Sequence, residues 1–316
     1  MLDPFRRIIT VVFLIALLAV SATAALAETN KVRIASVGWT GVTIKTDVAV
    51  SLLNTLGYQA ENILVSVPIA YKAMSIGEAD AFLGNWMPSM AGVADKYFAD
   101  GSVLKYVANM PGAKYTLATP TYCAEGGLKN FKDLEKYGEK LDWKIYGIEA
   151  GNDGNLIIQD MIDKDMFGLG KFALVSSSEA GMLAQVQSYT KDQQWIVFLG
   201  WAPHSMNEHI DMTYLDGSDA NTFGENDGTA TVWTNVRKDF AKDSPNAAAL
   251  LKNMTFPVSM MNEIMTSMSE NKKLSPEEAG LAWLRNHPET YKAWLRGITT
   301  ADGKQALPVV ESFFAN

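Results

Sequence analysis

Val32-Arg-Ile-Ala-Ser-Val-Gly-Trp39 opens the stretch whose reading decides the fold, and its apolar, β-branched character predicts a strand. Thr43 to Leu56 then predicts a helix: Ile44, Val48 and Leu52 recur every four residues, and Leu53 and Leu56 widen the stripe. Gly57 stops it. Ile63-Leu-Val-Ser-Val67 predicts a second strand and Ala70 to Gly77 a short helix. Ala81-Phe-Leu-Gly-Asn-Trp86 predicts a third strand, with a helix from Met90 to Ala99. A βαβαβα order implies a mostly parallel sheet covered by helices on both faces.

The pattern restarts downstream. Lys144-Ile-Tyr-Gly-Ile-Glu149, Phe172 to Ser176 and Trp195-Ile-Val-Phe-Leu-Gly-Trp201 predict strands, separated by helices over Asn155–Lys164 and Glu179–Tyr189. Two α/β units in one chain predict two lobes. The extended segments Lys114–Thr119 and Thr229–Val236 are the expected crossings, and everything after Ser244 reads as helix. If those helices return to the first unit, lobe 1 comprises residues 28–115 plus 230–316, and lobe 2 comprises 116–229.

A length of 316 residues agrees with about two domains. The 35 acidic and 27 basic residues leave a formal charge of -8, with no basic surplus to neutralise a phosphate backbone, so nucleic acid is excluded as a partner. The single cysteine, Cys123, allows no internal disulfide. At the N-terminus Arg6 and Arg7 precede an apolar run from Ile8 to Val20 and small residues ending in Ala25-Leu-Ala27. That is the pattern of a secretory signal peptide, residues 1–27, cleaved after Ala27. An uncleaved anchor is the alternative, but the apolar run is short for a span. The expected product is an exported, periplasmic protein.

Trp39, Trp86 and Trp201 each close a predicted strand, two in the first lobe and one in the second. In open α/β sheets ligands bind beyond the carboxyl ends of strands. Core packing is the ordinary fate of a tryptophan, and Trp233, Trp283 and Trp294 are read that way, with Trp143 and Trp195 at strand starts on the far side. Three rings at three carboxyl ends, with Tyr115 on the first crossing as a fourth, instead suggest a shared box. Such a box suits a quaternary ammonium, which has no N–H to donate but is attracted to the negative faces of aromatic rings. It would also stack a sugar or a nucleobase. At the polar end, Glu149-Ala-Gly-Asn-Asp-Gly-Asn155 joins a strand end to a helix start, where backbone N–H groups favour an oxygen of negative character. Asn152 and Asp153 are candidate contacts; plain N-capping by Asp153 or Asn155 is the alternative.

Val37-Gly-Trp-Thr40, Phe82-Leu-Gly-Asn-Trp-Met-Pro88, Gly112-Ala-Lys-Tyr-Thr-Leu117, Tyr146-Gly-Ile-Glu-Ala-Gly-Asn-Asp-Gly154 and Phe198-Leu-Gly-Trp-Ala-Pro-His204 resemble, in content and order, the choline and glycine-betaine substrate-binding proteins of ABC importers. The resemblance implies an α/β, type II-like periplasmic binding fold of two lobes that close on ligand, a membrane permease as partner, a monomer, and no enzymatic activity or required cofactor. It implies that Trp39, Trp86, Tyr115 and Trp201 cage a trimethylammonium group, and that Asn152 and Asp153 hold the ligand's oxygen. One position departs: where choline binders of this kind carry an acidic residue two places after the first cage tryptophan, this chain has Gly41. Loss of that counter-charge points to a net-neutral ligand, trimethylamine N-oxide first and glycine betaine next, and the chain also resembles the trimethylamine N-oxide binders. Glu125 or Glu149 would restore the charge and, with it, choline.

Other chemistry leaves little trace. His204, His209 and His287 form no HExxH and no Cys/His cluster; His204 and His209 read as surface or loop residues. Gly168-Leu-Gly-Lys-Phe-Ala173 matches a loose dinucleotide pattern but precedes a strand instead of following one. Asp216-Gly-Ser-Asp-Ala-Asn221 is rich in oxygen, and a calcium ion there would take Asp216, Asp219 and Asn221; a solvated turn is the plainer account. The alternative from another class is a periplasmic enzyme acting on a small amine on a similar scaffold, which the lack of a nucleophile–base motif disfavours.

Overall fold

The computed structural model describes residues 30–315; the expected signal peptide lies outside the described residues. The chain runs β1 (Lys31–Ser36), α1 (Thr40–Thr55), β2 (Gln59–Leu64), α2 (Val67–Ser75), β3 (Ala81–Met87) and α3 (Ala91–Ala99) into the long β4 (Val103–Pro120). A second unit follows: β5 (Lys144–Tyr146), α4 (Asp153–Asp163), β6 (Ala173–Val175), α5 (Glu179–Lys191), β7 (Phe198–Ala202) and β8 (Met212–Tyr214). After β9 (Thr229–Arg237) come helices, chiefly α6 (Pro245–Asn253), α7 (Val258–Glu270), α8 (Pro276–Asn286), α9 (Pro288–Trp294) and α10 (Ala306–Ala315).

The described strands form one sheet in the order β2-β1-β3-β9-β4-β7-β5-β6, with β8 beside β4. In both units the first strand lies between the other two, and its pairings to them are parallel. The junction is antiparallel: β9 joins β3 to β4, and β4 passes on to β7. β4 pairs with β9 from Val103 to Lys114 and with β7 from Lys114 to Ala118. One continuous strand thus serves both halves, as the expected crossings at Lys114–Thr119 and Thr229–Val236 require.

Several strand boundaries move from their expected places; β1 and β5 each end three residues early, at Ser36 and Tyr146. β2 starts at Gln59 and ends before Val65, because Ser66 and Pro68 open α2. It is an edge strand whose register with β1 is carried by backbone pairing of polar residues, so hydrophobic pattern does not mark it. β7 starts at Phe198, since Trp195 packs outward between Tyr137, 4.9 Å between ring centroids, and the Lys140 ammonium, 4.2 Å from its ring.

The C-terminal helices pack on the first unit. At Gly280 a Cβ would stand 2.3 Å from Val48 Cγ2, so the bare glycine lets α8 lie directly on α1. Trp294 is buried against Phe256, with centroids 5.2 Å apart. α7 reaches inward, where Met261 and Met265 face the cleft between the units.

Candidate ligand-binding site

Trp39 is the N-cap residue of α1, in extended backbone, so its ring leaves the end of β1 and points along the cleft. Trp86 stands at the corresponding end of β3. Tyr115 occupies the point where β4 changes partners, and Trp201 on β7 is its register mate. Trp86 and Tyr115 lie 5.8 Å apart between ring centroids, and Tyr115 and Trp201 6.3 Å, at interplanar angles of 52° and 72°. All four rings line one cavity, together with Asp153, Ile148 and Pro203 from the second unit and Gly41, Val42, Lys45, Met110, Met261 and Met265 from the first. Trp86 is half-buried; Trp39, Tyr115 and Trp201 are each less than one-tenth exposed. Trp143 and Trp195 are not among the wall residues.

Gly154 makes the approach of Tyr115 possible, because a Cβ there would stand 2.1 Å from its hydroxyl oxygen. Burial, reinforced by the nearby Asp153 charge, pushes the Tyr115 phenol well above its ordinary range, so it stays protonated. Asn152 is the N-cap of α4: its Oδ1 accepts from the Asn155 N–H at 2.6 Å, and its Nδ2 lies 3.5 Å from the Tyr115 hydroxyl. The cap is therefore Asn152 itself, and neither Asp153 nor Asn155, the two capping candidates read from sequence. Asn155 instead ties the loop together, donating to the Ile148 carbonyl at 2.8 Å and accepting from the Ile148 N–H at 3.0 Å.

With the cap supplied by its neighbour, Asp153 is free to face the cavity. It is 2% exposed and neither carboxylate oxygen has a hydrogen-bond partner. Burial pushes its carboxyl up to about 6, against a smaller opposing influence of the Ser89 hydroxyl. Near pH 7 it is thus mainly ionised, a lone negative charge on an aromatic-lined wall.

Two further carboxylates of the second unit hold the N-terminus of α1. The Trp39 indole N–H donates to Glu149 Oε1 at 2.8 Å. The Thr40 N–H lies 3.3 Å from both oxygens of Glu179, and the Thr40 hydroxyl donates to Glu179 Oε1. Carboxylates at a helix N-terminus meet unpaired N–H groups and the positive end of the helix dipole. His204 completes this contact. Its Nδ1 accepts from the Met206 N–H at 3.0 Å, so its proton sits on Nε2 and is donated to Glu179 Oε1 at 3.1 Å. His204 lies in the loop after β7, as expected, but is 3% exposed and so not at the surface: the Trp201 ring, 5.1 Å away, and Glu179 enclose it. His209 does sit at the surface, beside Ser269 Oγ at 2.8 Å.

Lys45 is the charged wall residue that sequence reasoning passed over. It is 1% exposed, its Nζ donates to Asn109 Oδ1 at 3.1 Å, and burial lowers its ammonium to about 7. The available signal was a lysine one residue after Ile44 and three before Val48, inside the apolar stripe of α1. Gly41 lies one turn earlier, and the Met265 methyl fills the space beside it, 3.1 Å from where a Cβ would stand. Of the two carboxylates considered as substitutes for an acidic residue 41, Glu125 is exposed on a short helix outside the wall, and Glu149 stands behind Trp39.

The oxygen-rich segment folds as a self-bonded turn. Asp219 Oδ1 accepts from the Asn221 N–H at 2.9 Å and lies 3.2 Å from the Thr222 hydroxyl. Among the described residues no group of three or more His, Cys, Asp or Glu is arranged to hold a metal ion. No helix among the described residues is long and apolar enough to cross a membrane.

The chain is similar to known proteins over most of its length. A choline-binding ABC-transporter protein solved in complex with choline is 45% identical, the match covering 91% of this chain and 99% of that one at a TM-score of 0.88. The glycine betaine/L-proline-binding protein ProX of Borrelia burgdorferi is 25% identical over 84% of this chain and 96% of its own, with a TM-score of 0.76. The glycine betaine/carnitine transport binding protein GbuC of Listeria monocytogenes is 32% identical over 174 residues, and the chain spans about half its length, 55%. The family described as the substrate binding domain of ABC-type glycine betaine transport systems matches residues 30–286. A two-lobed α/β frame, an aromatic cavity between the lobes and a match over most of the chain lead to one conclusion: this protein belongs to that family, and is a substrate-binding protein of an ABC importer, not an enzyme.

Proposed function

We propose that the cleft captures a small trimethylammonium compound outside the cytoplasm, in the periplasm, and that the closed, loaded form is what the permease recognises. The observation that carries this is the meeting of Trp39, Trp86, Tyr115 and Trp201, drawn from both lobes, on one cavity with the partnerless Asp153 carboxylate. A quaternary nitrogen is attracted to ring faces, at up to about 2 kcal/mol per desolvated contact. Several contacts support micromolar binding, about -8 kcal/mol, after association costs. Only the closed arrangement offers all the walls, so ligand shifts the lobes towards closure. Asn152, behind Tyr115, orients that ring and the start of α4.

Within this class, choline is favoured by the 45% identical protein solved with choline, since Asp153 would accept its hydroxyl. Trimethylamine N-oxide and glycine betaine are favoured by Gly41, which leaves the α1 side of the cavity without a carboxylate. The test is calorimetric titration with tetramethylammonium, choline, glycine betaine and trimethylamine N-oxide, with recovery of unchanged ligand. Saturable binding of at least one, accompanied by a large change in tryptophan fluorescence, is expected. Failure of all four to bind would defeat the proposal.

A further inference from the structure

We propose, resting on the trimethylammonium reading above, that Lys45 binds the anionic oxygen of the ligand, so that this cleft selects trimethylammonium zwitterions over the bare cation choline. A lysine ammonium is flexible enough to reach solvent from most helix positions. Lys45 does not: it is 1% exposed and lies on the cavity wall. Its one hydrogen bond goes to a neutral amide oxygen, Asn109 Oδ1 at 3.1 Å, and no carboxylate is paired with it. An ammonium has three donors, so the hydrogen bond to Asn109 leaves a demand that a ligand oxygen would meet.

The ammonium is also held in place. Asn109 is fully buried, and its Nδ2 donates to the Leu83 carbonyl at 3.1 Å and to Thr234 Oγ1 at 2.9 Å. Both bonds orient the amide so that Oδ1 faces Lys45. The Phe256 ring centroid is 5.8 Å from Nζ. Around it, Gly41, Met261 and Met265 give the wall no competing anion. The charge complement is Asp153, on the other lobe, whose carboxylate oxygens have no hydrogen-bond partner. The cavity thus carries one buried basic and one buried acidic group, not bonded to each other. A zwitterion satisfies both, its methylated nitrogen among the rings on the Asp153 side and its oxygen on the ammonium. Choline answers only the carboxylate and offers no anionic oxygen to draw a proton onto Lys45; against the charged ammonium it would be a second cation in the same cavity, where like charges repel most strongly. A carboxylate and an N-oxide share the required chemistry and differ in the spacing from nitrogen to oxygen.

The experiment titrates wild type, Lys45→Met and Lys45→Gln with choline, trimethylamine N-oxide, glycine betaine and γ-trimethylammonium butyrate. Wild type should bind at least one zwitterion more tightly than choline. Lys45→Met should weaken that zwitterion at least tenfold while leaving choline unchanged or tighter. Lys45→Gln, which keeps a donor towards Asn109, should show the same change of ranking and covers the case in which the methionine variant fails to fold. Titrations in buffers of different ionisation heat at pH 7.5 supply an independent reading. Zwitterion binding should take up protons as Lys45 becomes fully charged, and the uptake should vanish in Lys45→Met; Asp153 and Tyr115, the other titratable groups of the wall, remain in both proteins. Choline outcompeting every zwitterion on wild type, or an equal loss for all ligands in both variants, overturns the role of Lys45 and leaves the cage intact. Failure of every ligand on wild type instead sinks the trimethylammonium reading.

Discussion

The Trp39 indole N–H reaches Glu149 Oε1 at 2.8 Å, joining residues 110 positions apart and on opposite lobes. A ring that forms one wall of the ligand cavity is thereby also a tie across it. Burial holds the Glu149 carboxyl above its ordinary range, and the bond from Trp39 works against that. On the proposed reading, ligand contact and lobe closure are coupled through this single side chain.

Trp39→Phe keeps an aromatic face and deletes the tie. The ligand dissociation rate should rise about ten- to a hundredfold, since a hydrogen bond to a charged group is worth about 1.5–3 kcal/mol. Stopped-flow tryptophan fluorescence measures it; an unchanged rate would mean that the bond to Glu149 does not hold the lobes together.

Trp86→Ala and Trp201→Ala should each raise the dissociation constant at least tenfold by calorimetry. Trp86 is half-buried, so its removal should cost little fold stability, whereas Trp201 is 7% exposed and packs on Tyr115 and His204. Near-normal affinity in both variants would defeat the cage.

Asp153 sets a pH dependence with a definite sign. Its folded-state value, about 6, lies above its ordinary 3.8, so the folded state binds the proton more tightly than the unfolded chain. Stability from this group is therefore greatest at low pH and declines as pH rises from about 4 through 6; the ionised form costs about 3 kcal/mol at neutral pH. Asp153→Asn should stabilise the ligand-free protein at pH 7.5, with a benefit that shrinks towards pH 4.5, while weakening the bound cation. Thermal melts across that range check it, and a benefit independent of pH would remove the charge from the explanation.

Gly280→Ala tests how the C-terminal helices are seated. In an isolated helix alanine is favoured over glycine by about 1 kcal/mol. Here the added Cβ would stand 2.3 Å from Val48 Cγ2. We expect a net loss of about 1–3 kcal/mol by urea denaturation. A stabilised variant would indicate that α8 lies less tightly on α1 than the geometry requires.

The amino-acid sequence by itself determined the two α/β units, the crossings near Lys114 and Thr229, and the placing of Trp39, Trp86 and Trp201 at strand ends. Those features depend on local periodicity and on where strands stop, which short-range pattern records. β2 escaped it because an edge strand needs no apolar face, and β7 shifted because Trp195 found its partners outside the sheet. Tertiary structure alone decided which polar groups meet. Asn152 rather than its neighbours caps α4, leaving Asp153 without a partner in the cavity, and His204 is enclosed by a glutamate 25 residues away. Lys45 reads in the sequence as a charge in an apolar stripe; only the packing of Asn109, Phe256 and α7 around it makes it a buried amine on the cavity wall. Burial and pairing arise from segments far apart in the chain, so no local pattern encodes them, and they set the charge of the site.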